Sequence, residues 1–188
     1  MEEPQLRTDP ILLMELAKRG DTDAFGRLYE LYFTPIFRYA YFRVRSIHAA
    51  EDITQEVFLK AYRSIENFED KNKPPLAYFF TIARNTVIDY WRKKKDVLFG
   101  EDEAWERIPD ENSDPMETAD RKGIANSIRR NITTLTQEQQ EVIVLKFINE
   151  MSYREIAEML DKSEDAVRQL QCRALRALRK ELKDKRIL

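Results

Sequence analysis

A chain of 188 residues, 43% of them hydrophobic, is long enough for one ordinary domain or two small helical ones with real cores. No apolar run approaches the ~18 residues of a bilayer span, and Glu2, Glu3 and Pro4 break any signal-peptide pattern, which points to a cytoplasmic protein without membrane insertion. A formal charge of -2 hides strong segregation: basic clusters lie at Arg92 to Lys95 and from Arg168 to Arg186, whereas from Asp96 to Asp120 the only base among many acids is Arg107. That division fits separate basic surfaces joined by an acidic connector, with ordinary solvated charge as the alternative.

Only four glycines are present, and apolar residues recur three and four apart with no sustained alternation at period two, so the expected fold is all-α. Asp9 and Pro10 form a helix start, the carboxylate capping free amides and proline fitting the first turn, and a short helix to about Lys18 follows. After Gly20 and Asp21, the residues Phe25, Leu28, Tyr29, Tyr32, Ile36, Tyr39 and Phe42 fall near one helical face; Pro35 is expected to kink this helix without ending it. A third helix is expected from about Ala49 to Ile65, with Ile53, Val57, Ala61 and Ile65 inward and Asp52, Gln55, Glu56 and Leu59 outward. Asn67 to Pro75 reads as a loop, and Leu76 to about Lys95 as an aromatic-rich helix. Asp96 to Glu117, with Gly100, Pro109 and Pro115, reads as a linker, and a last group of helices is expected from near Ala119. Two capping boxes stand out there, Thr136 with Gln139 and Ser152 with Glu155, and Ser163 is a further N-cap.

Ser152 to Leu182 carries the clearest functional geometry. A short capped helix with Ile156, Ala157 and Leu160 inward leads through a tight turn at Asp161 and Lys162. A longer helix follows, with Val167, Leu170, Ala174, Leu178 and Leu182 in one apolar stripe. The outer face of that helix presents Asp165, Arg168, Gln169, Cys172 and Arg176. A helix-turn-helix uses its first helix to brace the second and the second's N-terminal outer face to reach base edges in the major groove. Arginine pairs with guanine and glutamine with adenine, while Arg173, Arg179, Lys180 and Lys183 suit phosphates. A surface helical hairpin with a solvated basic face has the same pattern.

The stretch LTQEQQEVIVLKFINEMSYREIAEMLDKSEDAVRQLQCRALRALRKEL, Leu135 to Leu182, resembles region 4 of the extracytoplasmic-function (ECF) sigma factors of the sigma-70 family. EDITQEVFLKAYRSIENF, Glu51 to Phe68, resembles region 2.2, and IARNTVIDYWRKKK, Ile82 to Lys95, resembles regions 2.3 and 2.4. Two signatures in the right order leave only the connector uncovered. Asp161 and Asp165 stand where many members have glycine, and Tyr78 where many have tryptophan.

The resemblance implies a promoter-specificity subunit of RNA polymerase with two helical domains. Sigma region 2 is expected over 1–95, an acidic linker over 96–117 and helix-turn-helix sigma region 4 over 118–188. Core-polymerase binding is implied for Asp52, Gln55 and Glu56. Proximal promoter binding and melting are implied for Phe68, Asn85, Arg92, Lys93, Lys94 and Lys95, with most of Tyr78, Phe79, Phe80, Tyr90 and Trp91 in the core. Distal promoter binding is expected of Arg168, Gln169, Cys172 and Arg176 at bases, with Arg173 and Arg179 mainly at phosphates. The implied partners are core polymerase, promoter DNA and an anti-sigma protein.

A stand-alone helix-turn-helix regulator that binds an operator as a dimer is the competing function. An enzyme is disfavoured: His48 and Cys172 lie in different expected domains, and no nucleotide-binding glycine loop or paired-carboxylate constellation is evident. No cofactor is expected, nor a structural metal or disulfide, given one cysteine and one histidine. Cys172 reads as an unreactive thiol, with a redox sensor as the other reading. The linker reads as a mimic of nucleic acid in the polymerase cleft or as a plain spacer.

Overall fold

The computed structural model describes residues 9–68, 74–98 and 132–184, and these are helical with no strand among them. The chain divides into two compact units, Met1–Lys93 and Lys94–Leu188. Most of the expected acidic linker, and the helix start expected near Ala119, lie outside the described residues.

In the first unit, α1 (Pro10–Lys18) begins where Asp9 accepts a hydrogen bond from the Ile11 amide at 3.0 Å. Gly20, at φ +90°, supplies the left-handed turn into α2 (Thr22–Val44), which Asp21 caps through the Ala24 amide at 2.9 Å. Helix α2 continues through Pro35, with Tyr32, Ile36 and Tyr39 buried on either side of it. Packing on both flanks holds the segment helical despite the missing amide donor. Tyr29, expected on the buried face, is 40% exposed; it lies at the margin of the stripe, its ring 4.7 Å from that of Phe58.

Helix α3 (Ile47–Ser64) starts slightly earlier than expected because Ser46 caps it through the Ala49 amide at 3.3 Å. Ile53, Val57, Ala61 and Ile65 are all buried, and a 3-10 turn (Ile65–Asn67) closes the helix. Helix α4 (Pro75–Leu98) runs past the expected boundary at Lys95. Proline fits its first position, where the amide would have no intrahelical partner. Phe79 is the hub of this unit: it is fully buried, with ring centroids 5.1 Å from Tyr32, 5.3 Å from Phe58, 5.4 Å from Tyr78 and 6.5 Å from Phe25.

From Ile132 the described part of the second unit runs through a 3-10 turn (Ile132–Thr134) into α5 (Gln137–Ile143), which continues as a π-helical turn (Val144–Ile148). Helices α6 (Tyr153–Leu160) and α7 (Glu164–Asp184) follow, and α7 packs against both α5 and α6. Both expected capping boxes form, at Thr136 with Gln139 and at Ser152 with Glu155. Val142, Ile143, Val144, Leu145, Ile156, Val167 and Ala174 are fully buried and make up the core.

Candidate nucleic-acid and polymerase interfaces

The turn between α6 and α7 depends on one residue. Asp161 ends α6 in the left-handed conformation, φ 53° and ψ 49°, and the Lys162 amide bonds back to the Ala157 carbonyl at 3.0 Å. Aspartate tolerates this region better than most residues, so the absence of glycine does not prevent the turn. Ser163 then caps α7 through the Ala166 amide at 3.2 Å, and Lys162 reaches Glu138 of α5 at 2.9 Å. The turn is thus tied to a third helix.

On α7, Val167, Ala174 and Leu178 are buried, while Arg168, Gln169, Cys172, Arg173, Arg176 and Arg179 are all exposed. Leu170 is half-buried, and the side chain of Leu182 lies outside the described residues. Arg168 is not a bare cation: its Nη2 is 3.0 Å from Glu164 Oε2, and its guanidinium lies 4.2 Å from the centre of the Tyr153 ring. Lys146 lies over the same ring at 4.5 Å, and the Tyr153 hydroxyl is hydrogen-bonded to Gln171 Oε1 at 2.6 Å. Tyr153 escaped the sequence reading. The Glu164–Arg168 pair was legible as an i, i+4 spacing, but the contacts of Tyr153 come from segments on both sides of the helix turn.

In the first unit, Asp52, Gln55 and Glu56 are exposed together on α3, and Leu59, 49% exposed, extends the same face. Glu56 is paired with Lys60 at 2.7 Å, and Lys60 also donates to Thr86 of α4 at 3.2 Å. Asp52 is thus joined on this exposed side of the helix by Glu51, while Glu56 is partly offset by Lys60.

Phe68 is half-buried, its ring edge-on to Tyr78 with centroids 5.1 Å apart. The Tyr78 hydroxyl lies 2.7 Å from Ser64 Oγ and donates to the Ala61 carbonyl at 3.1 Å. Burial raises the Tyr78 phenol above its ordinary pKa, against a smaller opposing effect of the Ser64 hydrogen bond. Helical spacing puts Tyr78, Asn85, Asp89 and Arg92 on one face of α4. Along it Asn85 and Arg92 are exposed, and Arg92 pairs with Asp89 at 3.0 Å. Asp89 was not anticipated as part of this basic segment. Lys93 is exposed and Lys94 half-buried, while the side chain of Lys95 lies outside the described residues. Of the aromatic residues expected inside, Phe79 and Phe80 are fully buried, whereas Tyr78, Tyr90 and Trp91 are half-buried.

No described helix is long and apolar enough to cross a membrane. Residues 28–97 match the family described as Sigma-70 region 2, and residues 132–180 match Sigma-70, region 4. The chain is 36% identical to the ECF RNA polymerase sigma factor BldN of Streptomyces coelicolor over 96% of its own length and 70% of that protein's. It is 34% identical to the ECF RNA polymerase sigma factor SigW of Bacillus subtilis, over 89% of this chain and 93% of that one. Its fold is similar to that of CnrH, solved in complex with the cytosolic domain of CnrY, with a TM-score of 0.70 and 24% identity over 94% of this chain and 98% of that chain. RpoE, solved with the anti-sigma factor NepR from Bartonella quintana, has a TM-score of 0.68 and 21% identity over 85% and 96% of the two chains. Two matched regions in the sigma-70 order, with relatives of this identity along most of the chain, make it a member of the extracytoplasmic-function sigma factors, which direct RNA polymerase core enzyme to specific promoters.

Proposed function

We propose that this sigma factor divides its work among three surfaces: the outer face of α3, Phe68 with the exposed side of α4, and the outer face of α7. Asp52, Gln55 and Glu56 bind core polymerase, presenting carboxylates and an amide to basic partner groups. Phe68 and Asn85 capture an unstacked base of the non-template strand, while Arg92, Lys93, Lys94 and Lys95 hold the neighbouring phosphates. The α7 face reads the distal element, with Arg168, Gln169, Cys172 and Arg176 toward bases and Arg173 and Arg179 toward phosphates. The observation that carries this reading is the exposure of the polar groups on α3 and α7 while the apolar stripes of the same helices are buried.

The chain contributes specificity and strand capture, and nucleotide addition belongs to the core enzyme. Its expected organisation remains region 2 over 1–95, an acidic linker over 96–117 and region 4 over 118–188. It works in the cytoplasm, where core enzyme and DNA meet, and an anti-sigma protein that covers the polymerase-binding surface is its proposed regulator. Reconstituted transcription with core enzyme tests the assignment. Replacing Asp52, Gln55 and Glu56 together by Ala is expected to abolish capture of core polymerase, whereas Phe68→Ala and Asn85→Ala keep capture and lose promoter opening. Undiminished capture by the triple variant removes the α3 assignment, and normal opening in both single variants removes the pocket.

A further inference from the structure

Phe68 is held from several directions at once. Its amide bonds to the Ile65 carbonyl at 3.0 Å, which closes the 3-10 turn, and its ring rests on Tyr78. Its carbonyl accepts from Lys18 Nζ at 2.6 Å. Lys18 is the last residue of α1, a helix that carries none of the proposed polymerase or promoter contacts. The ammonium therefore reaches across fifty positions of sequence to hold the residue at which the chain leaves the turn. A charge-assisted bond of this length fixes the direction of the Phe68 carbonyl. Tyr78, tethered by Ser64 and Ala61, fixes the ring from the α4 side.

We propose that Lys18 is a positioning residue for promoter opening: by holding the Phe68 carbonyl it keeps the Phe68 ring in the orientation that captures a base. This rests on the assignment of Phe68 above. Lys18 itself touches no nucleic acid in this scheme. Its side chain is half-buried, and the ordinary alternative is a helix-terminal lysine that only stabilises the α1 junction.

The experiment uses the full chain bound to core polymerase and follows permanganate reactivity of a duplex promoter, with a pre-melted mismatched promoter alongside. Lys18→Met keeps the aliphatic stem and loses the donor. It is expected to melt within a few degrees of the parent, to bind core polymerase equally, and to lower duplex opening about tenfold, the scale of one hydrogen bond to a charged group. Lys18→Arg, which restores a cationic donor, recovers opening, and the pre-melted template bypasses the defect. Normal opening by Lys18→Met while Phe68→Ala fails overturns the role of Lys18 and leaves the pocket standing. Normal opening by both variants overturns the pocket itself. A defect that persists on the pre-melted template, fails to recover in Lys18→Arg, or accompanies a large loss of thermal stability assigns Lys18 a purely structural role and overturns the proposal.

Discussion

At the scale of single residues, the α7 face proposed to read bases is less free than its sequence implies. Glu164 neutralises part of the charge of Arg168, whose guanidinium lies over the Tyr153 ring. In the proposed base-reading role, a side chain held in this way gives up less rotamer entropy on meeting a base edge, which favours selectivity. Tyr153→Phe keeps the ring under Arg168 and loses only the bond to Gln171, whereas Tyr153→Ala releases both. Competition binding of holoenzyme to distal-element variants is expected to show selectivity falling by about 1 kcal/mol in Tyr153→Ala, a typical cation–π contribution, and staying near the parent value in Tyr153→Phe. Equal selectivity in all three proteins would show that Arg168 reads no base through this arrangement.

At the scale of elements, most helices were legible because their signals are local. Asp9, Asp21, Thr136, Ser152 and Ser163 cap their helices through hydrogen bonds spanning two or three residues. Apolar spacing of three and four marked the buried faces of α3 and α7. The Lys18–Phe68 bond and the hub at Phe79 escaped because they join segments far apart in sequence, and the π-helical turn after α5 and the exposure of Tyr29 escaped as well. The site divided the same way. Exposure of the α3 and α7 residues followed from periodicity, but a pattern of polar residues does not convey that Glu56, Arg92 and Arg168 each already hold an ion-pair partner on their own helix. The α6–α7 turn tests how local these signals are. Asp161 sits at positive φ with an exposed side chain, and a β-branched residue is strained there. Asp161→Val is expected to destabilise the second unit by about 1 to 2 kcal/mol, with Asp161→Gly within about 1 kcal/mol of the parent. Urea unfolding, with hydrogen exchange across α6 and α7 to locate the loss, checks this. A valine variant as stable as the parent would mean that the turn relaxes to another conformation.

At the scale of the whole molecule, a net charge of -2 gives the chain little overall attraction to DNA, so affinity has to come from cations concentrated on one face. Helix α7 concentrates them: Arg173, Arg176, Arg179 and Lys180 are exposed together on its outer side. Each cation that neutralises a phosphate releases condensed counterions, which makes the salt dependence of binding a count of such contacts. A neutral residue that reads a base edge contributes to preference and not to that count. Gln169 and Arg179, in their proposed roles, therefore offer a test of the two contributions on one helix. In holoenzyme binding to a promoter across a salt series, Arg179→Ala is expected to weaken all distal-element sequences alike and to reduce the slope of log K against log salt by about 0.9. Gln169→Ala is expected to leave the slope unchanged while altering the preference at one base pair by about 1 to 3 kcal/mol. A slope unchanged in Arg179→Ala would put that arginine off the phosphate backbone, and a preference unchanged in Gln169→Ala would move the base-reading edge of α7 to another of its exposed residues.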